Sequence, residues 1–108
     1  MTKRVRFDVE AQEELEAAVA WSDAESRGTT LGSELLEETD RAIVLLADQA
    51  ALFGFALGVS EQLGVRRCPL RRFPYALVFV EMPEEIRVLA FAHRRRRPGY
   101  WRGRLLPR

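Results

Sequence analysis

The residues best suited to chemistry lie near the C-terminal end, where His93-Arg94-Arg95-Arg96-Arg97 runs into Pro98-Gly99-Tyr100-Trp101-Arg102-Gly103-Arg104. Guanidinium forks bind phosphate bidentately and aromatic rings stack on bases, so this mixture suits a polyanion. His93 is the only histidine, and its ordinary titration near neutral pH would let it act as a general acid or base. A second basic cluster, Arg66, Arg67, Arg71 and Arg72, precedes Pro74. If strand pairing brought it beside the tail, the two would form a groove for RNA or DNA phosphates. The plainer alternative is a solvated or partner-binding tail that Tyr100 and Trp101 anchor on the body of the protein, with His93 structural. The residues alone leave both open.

Other chemistries are excluded by what is missing. One His and one Cys supply no zinc set, no glycine-rich phosphate loop follows a strand pattern, and there is no G-x-S-x-G. The acidic run Glu13-Glu14-Glu16 fans over more than one side of a helix and reads as a solvated surface. No metal and no cofactor are expected.

Charge is sharply divided along the chain. Residues 1–50 carry five basic side chains against twelve acidic ones, and residues 51–108 carry twelve against four. All twelve basic residues of the second part are arginines, so its partner is expected to be a polyanion or an acidic protein. With 108 residues, 47% hydrophobic and 31% charged, the composition is that of one ordinary globular domain over 1–108 with a basic tail from about residue 94. No apolar run approaches the roughly 20 residues of a membrane span, and the charged start does not resemble a signal peptide. The lone Cys68 agrees with a reducing compartment, and the expected location is the cytoplasm.

The elements that must position these groups follow from periodicity. Residues 4–9 alternate as a short strand, and from about Glu10 the spacing of Ala11, Leu15, Ala18, Val19 and Ser22 is helical. A turn at Ser26-Arg27-Gly28-Thr29-Thr30 offers Gly28 as a helix end and Thr29 or Thr30 as the next N-cap. A second helix over 31–48 buries Leu35, Ala42, Ile43 and Leu46 and points Glu34, Glu37, Glu38 and Asp40 to water. Residues 50–64, with three glycines, read as a loop packed on the core. Strands follow at 65–70, 75–82 and 86–93; Pro69 marks an edge or a strand end, and Pro83-Glu84-Glu85 is a hairpin turn. The expected fold class is α+β, in the order β-α-α-β-β-β, with an antiparallel-rich sheet packed by an αα-hairpin.

That order, with Glu14-Leu15-Glu16-Ala17-Ala18 and Trp21, Val65-Arg66-Arg67, Leu70-Arg71-Arg72-Phe73-Pro74-Tyr75 and Ile86-Arg87-Val88-Leu89-Ala90-Phe91-Ala92-His93-Arg94-Arg95, resembles the RelE/ParE superfamily of bacterial toxins. The resemblance covers nearly the whole chain. It implies a type II toxin-antitoxin module, in which a cognate antitoxin neutralises the toxin by wrapping a segment around it in a hetero-oligomer. The ParE-like branch inhibits DNA gyrase by binding. The RelE-like branch is a metal-independent endoribonuclease that cuts mRNA on the ribosome.

For the ribonuclease branch, Arg94 and Tyr100 match its Arg and C-terminal Tyr in kind and spacing, Arg67 matches a strand-borne basic residue, and His93 would assist. In either branch Arg66, Arg71, Arg72, Arg87, Arg95, Arg96, Arg97 and Trp101 would face nucleic acid or the target. Two positions depart from the pattern: Ala76 stands where the family has an Arg, and Pro69 where a second basic residue is expected. Loss of one such donor from a charged transition state costs about 2.7 to 4 kcal/mol. The expectation therefore leans to gyrase binding, with mRNA cleavage as the alternative and a non-toxic nucleic-acid-binding relative as a third reading.

Overall fold

The computed structural model describes residues 2–26 and 30–106. Strand β1 is Arg4–Phe7, helix α1 Val9–Ser26 and helix α2 Leu31–Gln49; strands β2, β3 and β4 are Val65–Pro69, Tyr75–Glu81 and Glu85–His93. Short 3-10 turns occupy Ala50–Leu52, Glu61–Leu63 and Arg102–Leu105. The sheet order is β1-β4-β3-β2, with β1 parallel to β4 and the other pairs antiparallel. The expected β-α-α-β-β-β order is thus the observed one. The near-continuous apolar runs of β3 and β4 are explained by their central places in the sheet.

Strand β1 stops two residues earlier than its alternation suggested because Asp8 changes roles. Its N–H still bonds the Val88 carbonyl at 2.9 Å, while its own carbonyl accepts from Gln12 N at 2.9 Å and opens α1. Among the described residues at the helix junction, Thr30 occupies the N-cap of α2 but its hydroxyl makes no capping bond. Asp23 of α1 supplies the acceptor instead, taking the N–H of Gly32 at 3.0 Å. A Cβ on Gly32 would lie 2.2 Å from that carboxylate oxygen, so a larger residue there would displace the Asp23 side chain from this bond. Gly28 and Thr29 lie outside the described residues.

The αα-hairpin covers one face of the sheet. Its stripe of Ala11, Leu15, Ala18, Leu35, Ala42 and Leu46 packs on Leu77, Phe79, Ile86, Val88 and Phe91. The other face carries a smaller cluster, Val65, Val78, Leu89 and Ala90, covered by Ala56 and Trp101. Residues 50–64 therefore do pack on the core, and do more than a loop need do. Arg67 N donates to Gly54 O at 3.0 Å and Ala56 N to Val65 O at 2.8 Å, which covers the outer edge of β2. Pro69 ends that edge strand in the same phase as Val65 and Arg67, where a missing N–H breaks no sheet bond.

Candidate functional site

Strand pairing does bring the two basic clusters together. On the face away from the helices, a cavity of about 140 Å³ is lined by Arg67 from β2, by Arg94, Arg96 and Arg97 from the tail, and by Tyr100. Beside it, a cavity of about 390 Å³ is lined by Arg67, Arg71, Arg72 and Arg94. Arg67, Ala92 and Arg94 belong to both, so the two form one groove. Arg67, Arg71, Arg94, Arg96 and Arg97 make no ion pair among the described residues, which leaves an uncompensated positive field.

The floor of the groove is apolar. Pro69 pairs with Ala76 across β2 and β3, and Ala76 pairs with Ala92 across β3 and β4. The two departures from the toxin pattern are thus cross-strand neighbours in a row of small residues without side-chain donors. The β2–β3 register runs unbroken from Val65↔Val80 to Pro69↔Ala76, so no slip carries Arg71 or Arg72 onto that floor. Both arginines instead sit on the loop at the groove end, their backbone N–H groups held by Glu38 Oε1 at 2.7 and 2.9 Å.

The tail is held as tightly. Glu14 Oε2 accepts from the Tyr100 hydroxyl at 2.7 Å and from Arg104 at 3.2 Å, while Glu14 Oε1 accepts from Arg104 at 2.9 Å and from Phe91 N at 3.0 Å. Gly58 and Gly99, both at positive φ, meet backbone to backbone. A Cβ on Gly58 would lie 2.6 Å from the Pro98 carbonyl carbon, so the loop and the tail close over the sheet only because both are glycine.

This anchoring decides what the candidate acid-base groups can do. Burial first, then the bond to the Glu14 carboxylate, push the Tyr100 hydroxyl well above the ordinary tyrosine range. Its proton is already committed to Glu14, and the Arg96 guanidinium stacks 3.8 Å over its ring. His93 Nδ1 accepts from Arg95 N at 3.0 Å, closing the turn after β4. Partial burial, with Arg95 and Arg94 adding to it, lowers the His93 pKa and favours the neutral ring.

Not every predicted target-facing residue reaches the groove. Trp101 lies at the wall of the smaller cavity but is only 3% exposed; it packs in the outer cluster, where it anchors the tail. Arg87 makes a bidentate pair with the buried Asp8 carboxylate at 2.8 and 2.9 Å and also donates to Arg104 O, so it holds the fold. Arg66 points to the other side of β2, over the Phe55 ring at 4.3 Å and onto the Phe53 carbonyl. Arg95 lies past the end of the groove, lining with Trp21 a further cavity that shares Arg72, Phe73, Pro74, Tyr75 and Arg94 with the second one.

The groove depends on two glutamates expected to face water. Glu38 is 7% exposed, and Glu14 is partly buried behind Tyr100. Each lies on an apolar stripe, Glu14 three residues after Ala11 and four before Ala18, Glu38 three after Leu35 and four before Ala42. A carboxylate at such a position is the signal for a buried acid with a partner.

No protein-family model matches the sequence, and no curated protein matches it. The fold is shared with a chain of a solved structure described as the chromosomal ParDE TA system from P. aeruginosa. The TM-score is 0.69 over 85% of this chain and 96% of that one, at 17% sequence identity. The likeness is one of fold: this is an α+β protein of RelE/ParE-like architecture with a basic groove on its open sheet face.

Proposed function

We propose that this protein is the toxin of a type II toxin-antitoxin module and that it acts by binding its target, in the manner of the ParE-like branch on DNA gyrase. The toxin reading is supported by the shared fold and by the arginine groove. The observation that carries the binding mechanism is the floor of that groove, the row Pro69, Ala76 and Ala92. Metal-free RNA cleavage needs a base for the 2′-hydroxyl, donors on the phosphorane and an acid for the leaving oxygen. Here the walls are basic but the floor has no side-chain donor, and Tyr100 donates its proton to Glu14. Binding needs only the walls.

Expression without an antitoxin should arrest growth, and co-expression of the product of an adjacent small gene should restore it. Purified protein should inhibit gyrase supercoiling while leaving mRNA on a programmed ribosome intact. One observation favours the ribonuclease reading: Arg67, Arg94 and Tyr100 line the same 140 Å³ cavity. Cleavage of translated mRNA in induced cells, lost in Tyr100→Phe, would establish that reading in place of the first.

A further inference from the structure

We propose that the cavity between the end of α1 and the loop before β3 binds a nucleotide, with the base stacked on Trp21 and the phosphate held by Arg95. This goes beyond the toxin reading: the cavity continues the end of the groove, sharing Arg72, Phe73, Pro74, Tyr75 and Arg94 with it, and adds Trp21 and Arg95 while none of the floor residues Pro69, Ala76 and Ala92 lines it. The cavity is about 420 Å³, the size of a small-ligand pocket and too small for a helix. It is lined by Trp21, Phe73, Tyr75, His93, Arg94 and Arg95, and no carboxylate is among its lining residues.

Trp21 is the reason to look there. The indole is 61% exposed, although tryptophan is normally among the most buried side chains by area, and it makes no ring or cation contact among the described residues. Its face is therefore free to stack. The other rings are already fixed: Tyr75 lies against Phe91 at 4.9 Å and 18°, and His93 meets the Tyr75 edge at 5.1 Å and 87°. They form a fixed wall of the cavity that Trp21 also lines. Because His93 Nδ1 accepts from Arg95 N, the neutral ring carries its proton on Nε2, a donor for a base edge. The Tyr75 hydroxyl has no hydrogen-bond partner among the described residues and supplies a second.

The guanidinium groups of Arg94 and Arg95 make no ion pair among the described residues. The cavity thus combines a free aromatic face, two neutral donors and unpaired guanidinium forks. An aromatic base carrying a phosphate uses all three. An acidic peptide could meet the forks and the donors, but it brings no aromatic face to the indole.

The test is quenching of Trp21 fluorescence in the full chain at low salt, with Trp101, buried, as a background defined by Trp21→Phe. The probes are 5′-AMP, adenosine, inorganic phosphate, single-stranded RNA and DNA hexanucleotides, and a glutamate-rich peptide. Saturable quenching is expected with the nucleotide probes and not with adenosine or phosphate. Binding of 5′-AMP itself assigns the site to a free nucleotide, and binding confined to hexanucleotides assigns it to a strand; either result supports the site.

By fluorescence anisotropy of labelled probe, Trp21→Ala should weaken binding roughly 5- to 150-fold. Arg95→Glu, also at an exposed position, should abolish it with an unchanged thermal midpoint. The proposal is overturned if no nucleotide probe binds, if Trp21→Ala binds as the wild type does, or if inorganic phosphate binds as well as 5′-AMP. Equal quenching by the glutamate-rich peptide would overturn it too and mark the patch as a protein-docking surface.

Discussion

Two halves of the sheet carry their charge in opposite ways. Along β1 and the start of β4, and where α1 meets the tail, acids and bases are matched: Asp8 with Arg87, Glu14 with Arg104, Glu85 with Arg6, Lys3 with Glu81. Over β2 and the end of β4, Arg67, Arg94, Arg96 and Arg97 converge with no carboxylate partner among the described residues. The near balance of charge in the whole chain hides this division. Paired charges here fix the shape of the molecule, while unpaired ones are left to act on something else. The connection between the two sets is Glu14, an acid of the helical hairpin that reaches the tail bearing the free arginines.

Breaking that connection should have the largest effect. Glu14→Ala strands Arg104 and the Phe91 N–H and should cost about 3 to 5 kcal/mol, read as a lower urea midpoint, with the tail exchanging its amide protons faster. Tyr100→Phe removes one bond to a charged acceptor and should cost about 1.5 to 3 kcal/mol in the same assay. Growth inhibition should survive that change under the binding mechanism and vanish under cleavage. The open face should behave in reverse: Arg67→Ala with Arg94→Ala should change stability by at most about 1 kcal/mol yet remove growth inhibition.

The smallest effect is in pH dependence. The folded protein holds the His93 pKa below its ordinary 6.5, so as pH falls through that value the unfolded chain takes up a proton that the folded one resists. Stability should therefore drop between about pH 6.5 and the lower folded pKa. In thermal melts from pH 7 to 5, His93→Gln should show a shallower loss than the wild type.

Much of this architecture is legible in the sequence. The switch from alternation to helical spacing near Glu10, the apolar runs of β3 and β4 and the position of Pro69 mark their elements, because each depends on residues close in the chain. The convergence of Arg67 with Arg94 could be anticipated as a consequence of pairing but not located, since it rests on the register of three strands. The burial of Glu14 and Glu38 is obscured for a related reason. Both stand among neighbouring glutamates, although their spacing from Ala11 and Leu35 puts them on the core stripe, and their partners are tens of residues away. For Trp101 the sequence is silent on depth, because an aromatic beside arginines looks alike whether it stacks on a ligand or anchors a tail. Its burial in the apolar cluster is visible only in the fold.

The central claim is that the open face acts by binding. Its most direct test is gyrase supercoiling with purified protein, wild type against the Arg67→Ala, Arg94→Ala double variant, run in parallel with translated mRNA on ribosomes. The expected result is inhibition of supercoiling by the wild type, none by the double variant, and full-length mRNA in both. Unaffected supercoiling together with mRNA cut by the wild type and spared by Tyr100→Phe would contradict it.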